Sequence, residues 1–130
     1  MEFRADSGYR SVADVESMFA DFVLEARKVP AGERLVIISD WRRCPVMASD
    51  ACEHVLKRIT ANNPRVLRSA AIASKESPVA VLQFVRLVRD SKHPDRRLFF
   101  DEQELVAWLG ECLTAKEAAR LRAFLAYDDT

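Results

Sequence analysis

This chain of 130 residues has few glycines, few cysteines and no net charge, and each of these features argues against a class of protein. Three glycines, in neither a G-x-x-x-x-G-K-[ST] nor a G-x-G-x-x-G arrangement, argue against a loop that cradles nucleotide phosphates. Three cysteines without a repeated spacing indicate reduced thiols rather than a disulfide framework. Lys plus Arg equals Asp plus Glu, at 20 each, which argues against binding of nucleic acid by bulk charge.

Long apolar runs are also missing. No run approaches the roughly 20 residues that span a bilayer, so we expect no membrane span. The first ten residues contain acids and no apolar segment of the signal-peptide kind, which together with reduced thiols predicts a cytoplasmic location. Apolar residues nevertheless make up 49% of the chain, a share typical of one globular domain with its own core.

Side chains that bind metals or catalyse hydrolysis form no recognisable motif. Cys44, Cys52 and His54 match no zinc-finger spacing, and we expect no metal site. His54 and His93 have no serine or cysteine partner at a motif spacing, so no hydrolytic triad is indicated. We therefore predict a protein that is not an enzyme, with no catalytic residue and no cofactor.

Sequence signals for helix starts recur along the chain. In four places a serine, threonine or aspartate precedes an acidic residue by three positions, the spacing of a capping box. A fifth start has proline at the first helical position. The five starts are at residues 11–14, 50–53, 77–78, 101–104 and 114–117.

Short apolar runs between these helices predict strands at residues 33–39, 66–73 and 97–100. The alternation predicts an α/β fold, a small and mostly parallel sheet of three or four strands with helices packed against it. Three strands make a narrow sheet, so we expect residues 1–10 to supply an edge strand. The chain is interpreted as a single domain, 1–130, in which 114–126 is a C-terminal helical extension.

Three segments resemble the STAS/SpoIIAA-like group, small bacterial domains related to anti-sigma-factor antagonists. They are a strand that ends in aspartate (36–42), a strand that opens with arginine (68–73), and the block 97–109, where strand phenylalanines precede an acidic cluster and an alanine-tryptophan-leucine helix. The resemblance covers roughly residues 11–113. It implies a SpoIIAA-like fold and a non-enzymatic regulatory or scaffolding module that binds a protein partner.

The resemblance also implies a candidate phosphoacceptor. In the antagonists of that group, a partner kinase phosphorylates a serine at the start of the helix that follows the aspartate-ended strand. The comparably placed serine here is Ser49, although the chain lacks the group's Asp-Ser-Ser-Gly type signature at this point. The alternative is that Ser49 is only a helix N-cap.

Polar side chains collect where the predicted strands end. Carboxyl ends of parallel strands share one edge of the sheet, and ligands of open α/β sheets bind there. Two helix N-termini point at the same edge and favour an anion. The alternative function is therefore binding of a small molecule, an anion or a lipid-like ligand, unless the aspartates cap turns and the arginines are solvated. The candidate ligand-binding residues are Asp40, Trp41, Arg42, Arg43, Ser74, Lys75 and Ser77.

The predicted third helix is apolar over much of its circumference. Leu82 lies outside its buried arc, beside Arg86 and Arg89. A helix of this kind is either buried on two sides or offers a contact surface. We predict a protein interface that includes these three residues, with a homodimer as one form of it. The alternative is that Leu82 rests on a neighbouring loop.

A basic patch is the remaining candidate surface. It would consist of Arg65, Arg68, Lys92, Arg96 and Arg97. Because the net charge is zero and no aromatic residues are interleaved, solvated loops are the preferred interpretation, and we expect no nucleic-acid partner.

Overall fold

The structure is a computed structural model that describes the backbone of residues 2–4 and all atoms of residues 11–30 and 32–126. The rest of the predicted segment 1–10, and the ends of the predicted domain 1–130, lie outside the described residues. The strands are β1 (Glu2–Arg4), β2 (Leu35–Asp40), β3 (Val66–Ile72) and β4 (Arg96–Phe99). The α-helices are α1 (Val12–Ala26), α2 (Ser49–Ala61), α3 (Pro78–Asp90), α4 (Glu102–Gly110) and α5 (Ala115–Leu125).

The four described strands form one sheet in the order β1-β2-β3-β4, and every neighbouring pair runs parallel. The predicted α/β class with a small parallel sheet is therefore confirmed. Glu2 pairs with Ile38, which shows that the N-terminal edge strand forms. Parallel crossovers are right-handed, and the strand order never reverses. As a result α1, α2 and α3 all fall on one face of the sheet and leave the other face to α4 and α5.

Two apolar clusters show this division. On one face, Val15 of α1, Val55 of α2 and Phe84 of α3 are buried in a single cluster. On the other face, leucines of α4 and α5 pack against Ile38 and Ile72. Leu121 and Leu125 of α5 are among the buried residues, so the predicted C-terminal extension supplies part of this second cluster. No helix of the described residues is both long enough and apolar enough to cross a bilayer.

The helix starts follow the sequence signals at four of five places. Thr114 and Glu117 form a complete capping box, and Ser11 and Asp101 each accept a backbone hydrogen bond in the first turn. Proline opens α3, as predicted.

The predicted capping box at 50–53 is wrong. The N-cap residue of α2 is Ala48, and the helix begins at Ser49, so neither Ser49 nor Asp50 is the cap. Asp50 instead accepts a 2.8 Å hydrogen bond from the N–H of Ala51. The helix starts two residues earlier than the box requires, which moves the carboxylate into the first turn, where it interacts favourably with the helix dipole.

Candidate functional site

The predicted ligand-binding residues lie along one edge of the sheet, because the carboxyl ends of β2 and β3 are adjacent in the parallel pairing. The four residues from 40 to 43 end or follow β2, and the others follow β3. We call these seven residues the rim. Many of these side chains already make hydrogen bonds or ring contacts within the protein. The groups that remain unused decide what the rim can bind.

Arg42 joins three elements at the rim. Its Nε and Nη2 donate to the two carboxylate oxygens of Asp40, at 3.0 and 2.8 Å, and its Nη2 also donates to the Leu125 carbonyl of α5 at 2.8 Å. Its Nη1 donates to the Glu102 carboxylate at the start of α4. The hydrogen bond with Asp40 raises the pKa of Arg42. These bonds use four of the five N–H donors of a guanidinium, so Arg42 is a structural clamp with little capacity for a ligand.

Other rim side chains also contact the protein itself. Trp41 is half-buried and packs against Phe84 in a tilted arrangement, with 4.8 Å between the ring centroids. The Ser74 hydroxyl accepts a 3.2 Å hydrogen bond from the backbone N–H two residues later. The Lys75 ammonium lies 5.3 Å from the centroid of a phenylalanine ring, within the range of a cation–π contact.

Ser77 and Arg43 complete the rim. Ser77 is the N-cap residue of α3, but its side chain accepts no hydrogen bond from the first turn. Arg43 is exposed. The order of the described strands has no reversal, so this edge has no switch-point crevice of the kind that binds ligands in doubly wound sheets. Ligand binding by the rim stays a prediction.

The outer face of α3 exposes an apolar stripe. Val79 is 59% exposed, Leu82 69% and Val85 43%, although all three belong to a helix whose inner side is fully buried. Arg86 and Arg89 flank the stripe. The Arg89 guanidinium lies 2.9 Å from the Asp90 carboxylate, and that of Arg86 lies 3.5 Å from it. Leu82 is thus solvent-exposed in this chain, and the five residues 79, 82, 85, 86 and 89 form what we call the α3 face.

The candidate phosphoacceptor Ser49, and Cys44, Cys52 and His54, which were considered for metal binding, are not members of the α3 face. Ser49 is exposed at the first residue of α2, and its phosphorylation stays a prediction of the resemblance. Cys44 is buried, whereas Cys52 and His54 are half-buried on α2. The described residues contain no group of three His, Cys, Asp or Glu side chains arranged to hold a metal ion.

Burial raises the pKa of the Cys44 thiol to about 11. We expect Cys44 to react with Ellman's reagent at pH 8 at least about tenfold more slowly in the native protein than in urea, because its thiolate is rare and shielded. Alkylation followed by mass spectrometry identifies the slow thiol. The pKa of Cys44 in the folded state lies above the unfolded value of about 9. The protonated thiol therefore makes its full contribution to the free energy of unfolding below pH 9, and this contribution is lost as the pH rises through 11. Fast labelling of Cys44 in the native protein would contradict this placement.

The residues of the candidate basic patch do not form one exposed surface, and Arg96 does not lie in a solvated loop. Arg68 and Arg97 both lie over the ring of Trp108, at 4.9 and 4.8 Å from its centroid. Arg96 is buried, with 8% of its surface exposed. Sequence reasoning missed this burial, although strand alternation contains a signal for it. Arg96 and Leu98 share one side of β4, and Leu98 packs against the cluster beneath α1, α2 and α3.

Comparisons of the chain with protein-family models, with curated proteins and with solved structures found no significant match. The STAS/SpoIIAA-like kinship therefore stays a prediction that depends on the segments quoted above.

Proposed function

We propose that this protein is a non-enzymatic regulatory or scaffolding module of the STAS/SpoIIAA-like kind, which acts in the cytoplasm by binding a protein through its α3 face. The observation that carries the proposal is the exposure of three apolar side chains in one stripe, at positions 79, 82 and 85. Isolated exposed leucines are common, but contiguous apolar surface bordered by charge is typical of interaction sites. Arginine beside apolar residues is likewise enriched in interfaces.

The occupant that fits this face best is a second copy of the chain. In an antiparallel pair of α3 helices related by a two-fold axis at Leu82, each Leu82 meets its copy, and Val79 meets Val85. The stripe is thus self-complementary in apolar contact, as a two-fold interface requires.

The α3 face can be tested by measuring self-association. We expect the native protein to form a dimer in light scattering coupled to gel filtration, and Leu82→Asp to shift it to monomer, because the substitution places two carboxylates at the two-fold axis. The matched control is Leu24→Asp. Leu24 is 59% exposed on α1, so this variant adds the same charge to another largely exposed helical leucine.

The homodimer is contradicted if the native protein remains a monomer at the highest concentration tested. It is also contradicted if both variants reduce association equally. Circular dichroism of each variant confirms that the helical content is unchanged, so that a monomeric Leu82→Asp reports on the interface and not on unfolding.

A further inference from the structure

A cavity of about 60 Å³ lies between the sheet and the layer formed by α1, α2 and α3. Its wall is mainly apolar, with Phe19 and Phe22 from α1, Val55 and Ile59 from α2, and Ile37 from β2. A space of this size exceeds that of a single water molecule and accommodates a molecule of a few non-hydrogen atoms. The cavity shares Trp41 with the rim, and its lining includes no residue of the α3 face.

Polar groups collect on the side of this cavity formed by the strands. The register pairs Ser69 of β3 with Arg96 of β4, and Ser39 lies two residues along β2 from the partner of Ser69, on the same face. Asn62, at the end of α2, also lines the cavity. Among the described residues, the hydroxyls of Ser39 and Ser69 and the side-chain amide of Asn62 make no hydrogen bond. These groups can therefore form hydrogen bonds with a ligand.

Arg96 supplies a positive charge to the same place. Its Nη1 donates to the Asn63 side chain at 2.7 Å and its Nη2 to the Ile59 carbonyl at 3.4 Å, which leaves three of the five donors of a guanidinium. Burial lowers the pKa of Arg96 to about 10, so the group is still charged at neutral pH. No carboxylate within the described residues pairs with it. A buried cation without a counter-ion is costly, and a bound anion would remove that cost.

We propose that this cavity binds a small monocarboxylate with a short aliphatic tail. The carboxylate accepts hydrogen bonds from the Arg96 guanidinium and the Ser69 hydroxyl, and the tail lies against the phenylalanines of α1. A guanidinium matches the planar carboxylate better than it matches a spherical ion. One buried positive charge balances a monoanion, whereas a phosphate dianion would keep an uncompensated charge in an apolar cavity. This site does not depend on the function proposed for the α3 face.

The experiment is calorimetric titration of the full chain with acetate, propionate and butyrate. Propanamide serves as the neutral molecule of the same shape as propionate, and sodium chloride and phosphate are matched for ionic strength. We expect saturable binding of at least one carboxylate at millimolar concentration or below, and none of propanamide. The melting temperature should rise with that carboxylate, because a ligand of the native state stabilises it. No saturable carboxylate binding, or equal binding of propanamide, chloride or phosphate, overturns the proposal.

Variants locate the site. Ser69→Ala removes one predicted hydrogen bond and is expected to weaken carboxylate binding by about threefold to tenfold. Ser74→Ala is the matched control, since Ser74 follows the same strand but does not line the cavity, and we expect native affinity. Arg96→Lys keeps the charge but removes the two parallel N–H donors with which a guanidinium binds a carboxylate. This variant should weaken binding more than Ser69→Ala does. Native affinity in both Ser69→Ala and Arg96→Lys would place the ligand elsewhere and overturn the assignment.

Discussion

Replacing Arg42 with methionine is expected to destabilise the protein by about 3 kcal/mol, measured by urea denaturation at neutral pH. Asp40 is 6% exposed, and the substitution removes both side-chain hydrogen bonds that Arg42 donates to its carboxylate. The loss is large because the buried carboxylate stays charged after the guanidinium has gone, and the remaining hydrogen bond from the backbone N–H of Arg42 brings no compensating charge. The carbonyl of Leu125 and the carboxylate of Glu102 lose the same donor.

The Arg42 result has two controls. Arg122→Met removes an arginine from the exposed side of α5 and is expected to cost less than about 0.5 kcal/mol. The double variant Asp40→Asn/Arg42→Met removes the buried charge together with its partner, so it should lose less stability than Arg42→Met alone. A loss below about 1 kcal/mol in Arg42→Met would show that the clamp adds little to the fold and that Arg42 is available for another role.

Phe84→Ala is expected to destabilise the protein by about 3–5 kcal/mol. Phe84 is 1% exposed, and its ring packs against that of Trp41 as well as against the cluster beneath α3. Removing it leaves a cavity that the surrounding helices and sheet can fill only in part. Near-ultraviolet circular dichroism should also show a weaker signal from Trp41, because that ring loses its aromatic neighbour.

Leu82→Ala is the matched control for Phe84→Ala. Both residues lie on α3 and both become alanine, so intrinsic helix propensity changes little between the two variants. Since Leu82 is 69% exposed, we expect a stability change within about 0.5 kcal/mol, together with weaker self-association. Equal losses in the two variants would mean that Leu82 is covered in the native monomer, and the α3 face would then not be a free surface.

Much of the architecture was predictable because it depends on local patterns. Four branched apolar residues at 35–38 predicted a buried strand, and helix starts such as Thr114 carried their own capping signal. Helices between strands predicted the parallel sheet. Asp50 shows the limit of the same reasoning, since the start of α2 lies two residues before the position that its box indicated.

Side-chain roles were less predictable than elements. Leu82 was placed outside the buried arc by helical periodicity alone, and the structure exposes it. Arg42 and Arg96 looked alike in the sequence, as arginines next to predicted strands. Their environments differ because one meets a carboxylate at the carboxyl edge and the other enters the sheet face beneath α2.

The sequence by itself determined the order and type of the elements, the parallel direction of the strands and the edge at which the rim residues lie, because hydrophobic periodicity and capping act over a few neighbouring residues. Only the tertiary structure decided that Arg42 reaches Glu102 and Leu125, which are 60 and 83 residues further along the chain. It also decided that a cavity remains beside Arg96. Such features depend on how whole helices pack over the sheet, and no short-range pattern encodes the distance between side chains that packing brings together.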